Sequence, residues 1–295
     1  MKNMYPMIQL EKLKLSKIVC GTNQFLGITH RSNPFEILAH KFQYREPITV
    51  AKYIIHLGHN HGVNCIVSSP RMKIYNAIQI AEKELGSKIH WLCTPSVRNT
   101  VKGLEQDLFK QIEWCADHHV SVCMPHRIYT DMAMDMEQLV IGGITYEGKD
   151  VKFKGRWIPV KSIRNECKIP YPEVAAFIRD KGMIPGLSTH YIEAIEAVER
   201  NKYDASLIIQ PLNKIGFESN TDPETLTKKI QSTKLQILNI KPMAAGRIPA
   251  REAFEYCLKR IKKNDFMAMG FGKFEYCVED GEIVADILDS HSRKI

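Results

Sequence analysis

Residues 183–198 read Met-Ile-Pro-Gly-Leu-Ser-Thr-His-Tyr-Ile-Glu-Ala-Ile-Glu-Ala-Val, and few folds accept that order. Met183 to Leu187 is a short apolar run, the length of a strand buried on both faces. Ser188, Thr189 and His190 put three polar side chains at its tip. Ile192, Ile195 and Val198 then follow at helical spacing, with Glu193, Glu196 and Glu199 on another face. A buried strand, a polar tip and a surface helix make one β/α unit, and the rest of the chain repeats it.

The first strand of the series is Lys17–Gly21, and Met7–Leu10 with Leu13–Leu15 form a small antiparallel pair ahead of it. A polar loop from Leu26 to Glu46 follows, and Pro47 then opens a helix that ends at Gly58 or Gly62. Asn64–Val67, Ile89–Cys93 and Val120–Met124 are strands two to four, with helical faces at Ile74, Ile78 and Ala81, and at Leu104, Leu108 and Ile112. The beat then breaks. Residues 139–148 and 151–157 read as a hairpin turned at Glu147-Gly148-Lys149, inserted after strand four and placed to act as a lid. Lys152, Lys154 and Arg156 alternate along it, which suits an anionic substrate. Ala205–Ile209, Gln236–Ile240 and Phe266–Met269 complete the strands, and Thr221-Asp-Pro-Glu224 has capping-box spacing.

Eight strands alternating with helices give an α/β chain, a single (β/α)8 TIM barrel over residues 1–295 with a short N-terminal hairpin. The alternative is a doubly wound open sheet, which would want a Gly-x-Gly-x-x-Gly after strand one; none is there. At 295 residues the chain is long enough for that barrel, and its 25% charged and 44% hydrophobic residues are those of a globular protein. No run reaches the ~18 apolar residues of a membrane span, and the start lacks a signal-peptide core, so the expectation is a soluble cytoplasmic protein. The net charge of +8 is scattered, without the aromatic-interleaved basic motif of a nucleic-acid module. It leaves a small-molecule, anionic substrate as the expected partner. The eight cysteines contain no Cys-x-x-Cys and read as reduced core thiols.

Gly62-Val-Asn-Cys-Ile66, Gly186-Leu-Ser188, Gln210 and Lys241-Pro-Met-Ala-Ala-Gly-Arg-Ile248, taken in order with the opening hairpin, resemble the aldo-keto reductase superfamily. The resemblance covers most of the chain outside residues 26–46 and 133–170. It implies the barrel, NADP as cofactor, and an Asp, a Tyr, a Lys and usually a His around a carbonyl. Those catalytic positions fall on Val67, Met72, a residue near Pro95, and His126; only the last is met. The nicotinamide-holding Asn falls on Thr189, and Lys241 stands near where the family stacks an aromatic. The resemblance also implies Ser188, Gln210 and Lys273 as cofactor contacts.

Barrel chemistry sits at the strand tips. His30, His126 and His190 come from three separate elements, and neutral imidazoles so arranged can hold a divalent metal such as Zn²⁺, with Cys93 or Cys123 in place of His30 if its loop turns away. Such an ion would activate water for hydrolase or lyase chemistry; otherwise each histidine is a lone acid or base. His56, His59, His61, His118 and His119 precede strands and belong to the opposite face. Lys241 can serve as a base or form a Schiff base. Gly270, Gly272 and Lys273 lead into a helix and suit a phosphate. Asn23, Gln24, Arg127 and Asn213 are the expected substrate contacts. The chemistry expected first is metal-assisted, with His126, Lys241 and His190 as catalytic groups; next comes nicotinamide-dependent oxidoreduction with His126 as proton donor; then a non-catalytic ligand-binding barrel.

Overall fold

A strand covered on both faces can be apolar throughout, because neither face meets water. Short runs of that kind close into a barrel in the computed structural model, which describes residues 4–28, 34–96, 107–133, 139–141, 144–146, 151–153, 156–158 and 170–292. The chain opens with the antiparallel pair β1 (Met7–Leu10) and β2 (Leu13–Ser16). Barrel strands β3 (Ile18–Gly21), β4 (Cys65–Ser68), β5 (His90–Cys93) and β6 (Val122–Cys123) follow. Four short strands intervene: β7 (Leu139–Ile141), β8 (Ile144–Tyr146), β9 (Val151–Phe153) and β10 (Arg156–Ile158). The barrel is completed by β11 (Ile184–Ser188), β12 (Leu207–Pro211), β13 (Gln236–Ile240) and β14 (Phe266–Gly270). Every barrel pairing is parallel, and β6 against β11 and β14 against β3 close the ring.

Strand alternation sorts the apolar residues into two layers. Val19, Val67, Leu92, Met124, Leu207 and Leu238 belong to the cluster that fills the barrel. Cys20, Ile66, Trp91, Leu187, Ile208 and Ile237 belong to the cluster between barrel and helices. Ile8, Leu10 and Leu15 of the opening pair join the interior cluster, so that pair closes the barrel floor. Arg179 ties it down, bonding Glu11 through Nη1 at 2.8 Å and Asp204 through Nε at 2.8 Å. Where two strands approach closely the sequence supplies glycine: a Cβ on Gly186 would sit 2.8 Å from Met124 Cγ and closer still to the Leu207 carbonyl oxygen.

The helix from Pro47 to His61 stops at Gly62, and that from Met72 to Leu85 stops at Gly86, both glycines left-handed at φ 70° and 63°. Among the described residues, no helix is long and apolar enough to cross a membrane.

The expected elements depart from the structure in four places. A 3-10 turn at Gln24–Leu26 leads into the polar loop 26–46, which holds a helix at Pro34–Gln43. A further helix, Arg127–Ala133, follows β6. The cap of the helix Pro223–Ser232 is Asp222, not Thr221: its carboxylate accepts from Glu224 N at 3.0 Å and Thr225 N at 2.9 Å. The inserted hairpin is two short antiparallel pairs, β7 with β8 and β9 with β10, rather than one pair turned at 147–149. Lys152 lies opposite Trp157 and Arg156 opposite Phe153, so these basic residues do not run along one strand; Lys154 lies outside the described residues.

Candidate active site

The ends of β6, β11, β12 and β13 carry the charged groups that converge. His126 follows β6, its backbone N bonded to Pro95 O at 2.8 Å. Ile128 N donates to His126 Nδ1 at 3.3 Å, which assigns the ring proton to Nε2. Burial, then the charges of Arg127 and Lys241, push the imidazole down to about 4, so it is neutral at pH 7. His190, beyond β11, is held well below the usual histidine range by burial, then by Arg127 and Lys241, with Glu218 opposing them. Its Nδ1 lies 3.8 Å from Glu218 Oε2.

Lys241 stands just past β13, with its Nζ 3.1 Å from Glu218 Oε2 and only a tenth of its side chain exposed. Burial lowers its pKa most, Arg127 lowers it further, and the Glu218 pair raises it. Lys241 and Glu218 both hold left-handed backbone, at φ 60° and 58°, a conformation that costs a non-glycine residue energy and is kept where surrounding contacts enforce it. Arg127 opens the helix Arg127–Ala133, and its charge reaches His126, His190, Lys241 and Asp131. Lys241 and His190 thus meet one carboxylate oxygen of Glu218, and the charge of Arg127 acts on Lys241 and on both neutral imidazoles.

Beneath them lies Asp131, buried at 6% exposure, which accepts the Thr189 hydroxyl at 2.5 Å. Burial pushes its carboxyl up to about 7, with Glu193 adding to the rise and Thr189 and Arg127 opposing it. Thr130 donates its hydroxyl to the Ser188 carbonyl, so the short helix is bound to the tip of β11 at two points.

The remaining candidates separate. The Asn213 side chain is taken up by its own loop: it accepts from Phe217 N at 2.8 Å and donates to Phe217 O at 3.0 Å. It thereby shapes the loop that carries Glu218. Gln210 is fully buried, and its amide has no hydrogen-bond partner among the described residues. It alternates with Leu207 and Ile209 of the interior, which puts it on the outward row beside Asn239 rather than in the mouth. Gln24 packs against Gly270, where an added Cβ would meet its Oε1 at 2.6 Å; Asn23 beside it is exposed. The Gly272 carbonyl accepts the Tyr44 hydroxyl at 2.8 Å, while Lys273 is exposed. Ser188 is buried, at 4% exposure.

The expected metal does not fit these residues. Among the described residues no three His, Cys, Asp or Glu side chains are grouped to hold one, and His30 lies outside them. Arg127 and Lys241, whose charges add to burial in keeping protons off both imidazoles, also disfavour a dication. Cys93 and Cys123 cannot substitute: both sit in the outer layer, buried, with Cys93 Sγ 3.6 Å from Cys115 Sγ of the helix Leu108–Asp117.

Sequence reasoning misses Asp131 and Glu218. Arg127 and Asp131 have the i, i+4 spacing of a charged helical pair, a signal that could have found the first; Glu218, in a loop without periodicity, offers none. Away from the mouth, a cavity of about 360 Å³ opens beside the start of β5, lined by Glu82, Trp91, His118 and His119 among others. Its acid is already committed to Ile89 N, at 2.9 Å.

Neither any family model nor any curated protein matches the chain in sequence. Solved structures do match in shape. One candidate aldo-keto reductase structure from Pseudomonas aeruginosa superposes with a TM-score of 0.60 at 16% identity, covering 98% of both chains. Another described in the same terms gives 0.57 at 16%, over 96% of this chain and 94% of that one. The glycerol dehydrogenase of Gluconobacter oxydans gives 0.52 at 13%, over 97% and 95%. At such identities the likeness is one of fold.

Proposed function

We propose that the barrel mouth is the active site of an enzyme acting on a small anionic carbonyl compound, by proton transfer of the lyase type. The observation that carries this reading is the buried pair of Lys241 and Glu218 at 3.1 Å, with His190 3.8 Å from the same oxygen and the charge of Arg127 acting on Lys241 and both imidazoles. A guanidinium is the side chain suited to a carboxylate or phosphate, which it grips with two parallel bonds. The Nε2–H of His126 is a neutral donor for a carbonyl oxygen; because the ring resists a second proton, it polarises without surrendering its proton early. Lys241 and Glu218 exchange a proton across 3.1 Å.

The nicotinamide implied by the reductase resemblance fits these residues poorly. The Thr189 hydroxyl is committed to Asp131, the Gln210 amide lies behind β12, and a cation stands at the tip of β13. The reading therefore rests on the chain's own acids and bases.

Calorimetric titration of the full chain with pyruvate, dihydroxyacetone phosphate and acetone tests it. Both anions should bind and acetone should not. Arg127→Gln should weaken anion binding ~10- to 100-fold, the worth of one charge-assisted hydrogen bond at ~1.5–3 kcal/mol. Binding of neither anion at millimolar concentration would defeat the reading.

A further inference from the structure

We propose that Lys241 is a covalent catalyst: its Nζ, held against Glu218 beside Arg127 and His190, condenses with the carbonyl carbon of the anion-bearing substrate to form an imine. This rests on the anion-carbonyl reading of the mouth and goes beyond it, because anion binding and proton transfer need no covalent bond.

The geometry supplies each requirement of the step. The amine must shed a proton, and Glu218 Oε2, at 3.1 Å, is the acceptor. The released amine must meet a carbonyl, and a group on Arg127 places the adjacent carbon of a short anionic substrate at the same mouth. Burial of nine-tenths of the lysine side chain weakens the hold on its proton, and Arg127 adds to that. The groups facing Lys241 from neighbouring elements are Glu218, Arg127, His126 and His190, of which the two imidazoles are neutral. The only negative charge among these is Glu218, and it is also the proton acceptor.

The step balances without an oxidant or reductant. The Nζ lone pair forms the C–N bond as the carbonyl π bond breaks onto oxygen, and one of the two protons left on nitrogen passes to that oxygen to give a carbinolamine. Loss of that hydroxyl with a second proton breaks the C–O bond and releases water. The proton that Glu218 took from the ammonium is the one returned to the departing hydroxyl. The imine, once protonated, withdraws electrons from the neighbouring carbon, where a C–H or C–C bond can then break. Glu218, a carboxylate again once the hydroxyl has left and 3.1 Å from Nζ, is placed to receive the proton so released.

Borohydride reduction of the full chain with pyruvate or dihydroxyacetone phosphate, followed by intact mass and peptide mapping, tests the imine. One reduced adduct per chain should form on the Lys241 peptide, at least ~10-fold faster than on any surface lysine. It should be absent from Lys241→Arg, which keeps the charge, and slowed in Glu218→Gln, which keeps the lysine; circular dichroism verifies both folds. The Lys241 adduct rate should rise with pH earlier than that of surface lysines. Calorimetric binding of either anion without an adduct overturns the imine and leaves the anion site standing. Absence of both binding and adduct overturns the two together. Adducts spread evenly over surface lysines overturn the assignment to Lys241.

Discussion

Replacing Asp131 with asparagine should make the protein progressively more stable relative to the wild type as pH rises from 4 to 8. The carboxyl is buried and pushed up to about 7 by that burial, while the unfolded chain ionises it near ~3.9. An acid whose folded pKa is raised binds more protons folded than unfolded between those values. Its stabilising share is therefore complete below about 4 and is lost as pH rises through about 7. A rise of about three in pKa, at ~1.36 kcal/mol for each, gives an upper value of about 4 kcal/mol for that loss. The asparagine side chain of the variant would keep an acceptor for the Thr189 hydroxyl and carry no charge to desolvate. The variant amide has a buried N–H of its own to satisfy, a cost of ~1–3 kcal/mol that does not change with pH. The pH-dependence of the difference is thus the readout, not its absolute size. Urea unfolding of both proteins at pH 4, 6 and 8 measures it, because other titrating groups cancel in the subtraction. The variant should gain on the wild type by ~2–4 kcal/mol from pH 4 to pH 8. A difference constant within ~0.5 kcal/mol over that range would refute the buried, proton-retaining carboxyl.

Gly186→Ala forces a methyl group against the Leu207 carbonyl and Met124, inside a ladder that cannot shift without losing hydrogen bonds; it should cost ~1–3 kcal/mol in urea unfolding, and an unchanged midpoint would contradict that packing. Arg179→Ala removes bonds to Glu11 and Asp204, but all three side chains are about a third or more exposed; the loss should be ~1 kcal/mol or less per pair and shrink in molar salt. A salt-insensitive loss above ~3 kcal/mol would mean the floor hairpin depends on more than this ion pair.

The barrel was legible because burial on both faces leaves a simple trace: Gln236–Ile240 matches β13 to the residue. The floor hairpin was legible through alternation instead: Met7 and Gln9 are exposed while Ile8 and Leu10 are buried, and Leu10 and Leu15, which close the interior, must be apolar. The helix Pro34–Gln43 was not. Its apolar residues Phe35, Leu38 and Phe42 have helical spacing but are 82%, 54% and 71% exposed, so they follow no core. Pro34 at its first turn was the available sign. The inserted strands were legible as β-structure, yet their pairing turned on loop closure within three-residue strands, which alternation cannot fix.

The site divides along the same physical line. His126, His190, Arg127 and Lys241 follow directly on strand ends, and a reader who knows where a barrel keeps its chemistry can name them. Glu218 lies in a loop, and what brings it to Lys241 is register: Pro211 of β12 pairs with Ile240 of β13, so whatever leaves the two strand ends leaves side by side. Asn213 then turns the β12 loop back on itself through Phe217, delivering the carboxylate across the neighbouring tip. Without that carboxylate Lys241 would be a cation with nine-tenths of its side chain buried, close enough to Arg127 to feel its charge and with no ionised acid against it, an arrangement whose desolvation nothing would offset. With it, one cation is paired and poised to give up a proton, and the other is left to meet an anion from outside. The asymmetry between Lys241 and Arg127 is thus produced by one loop. A Glu218→Gln variant should erase it, leaving anion affinity intact or higher while proton transfer through Lys241 slows.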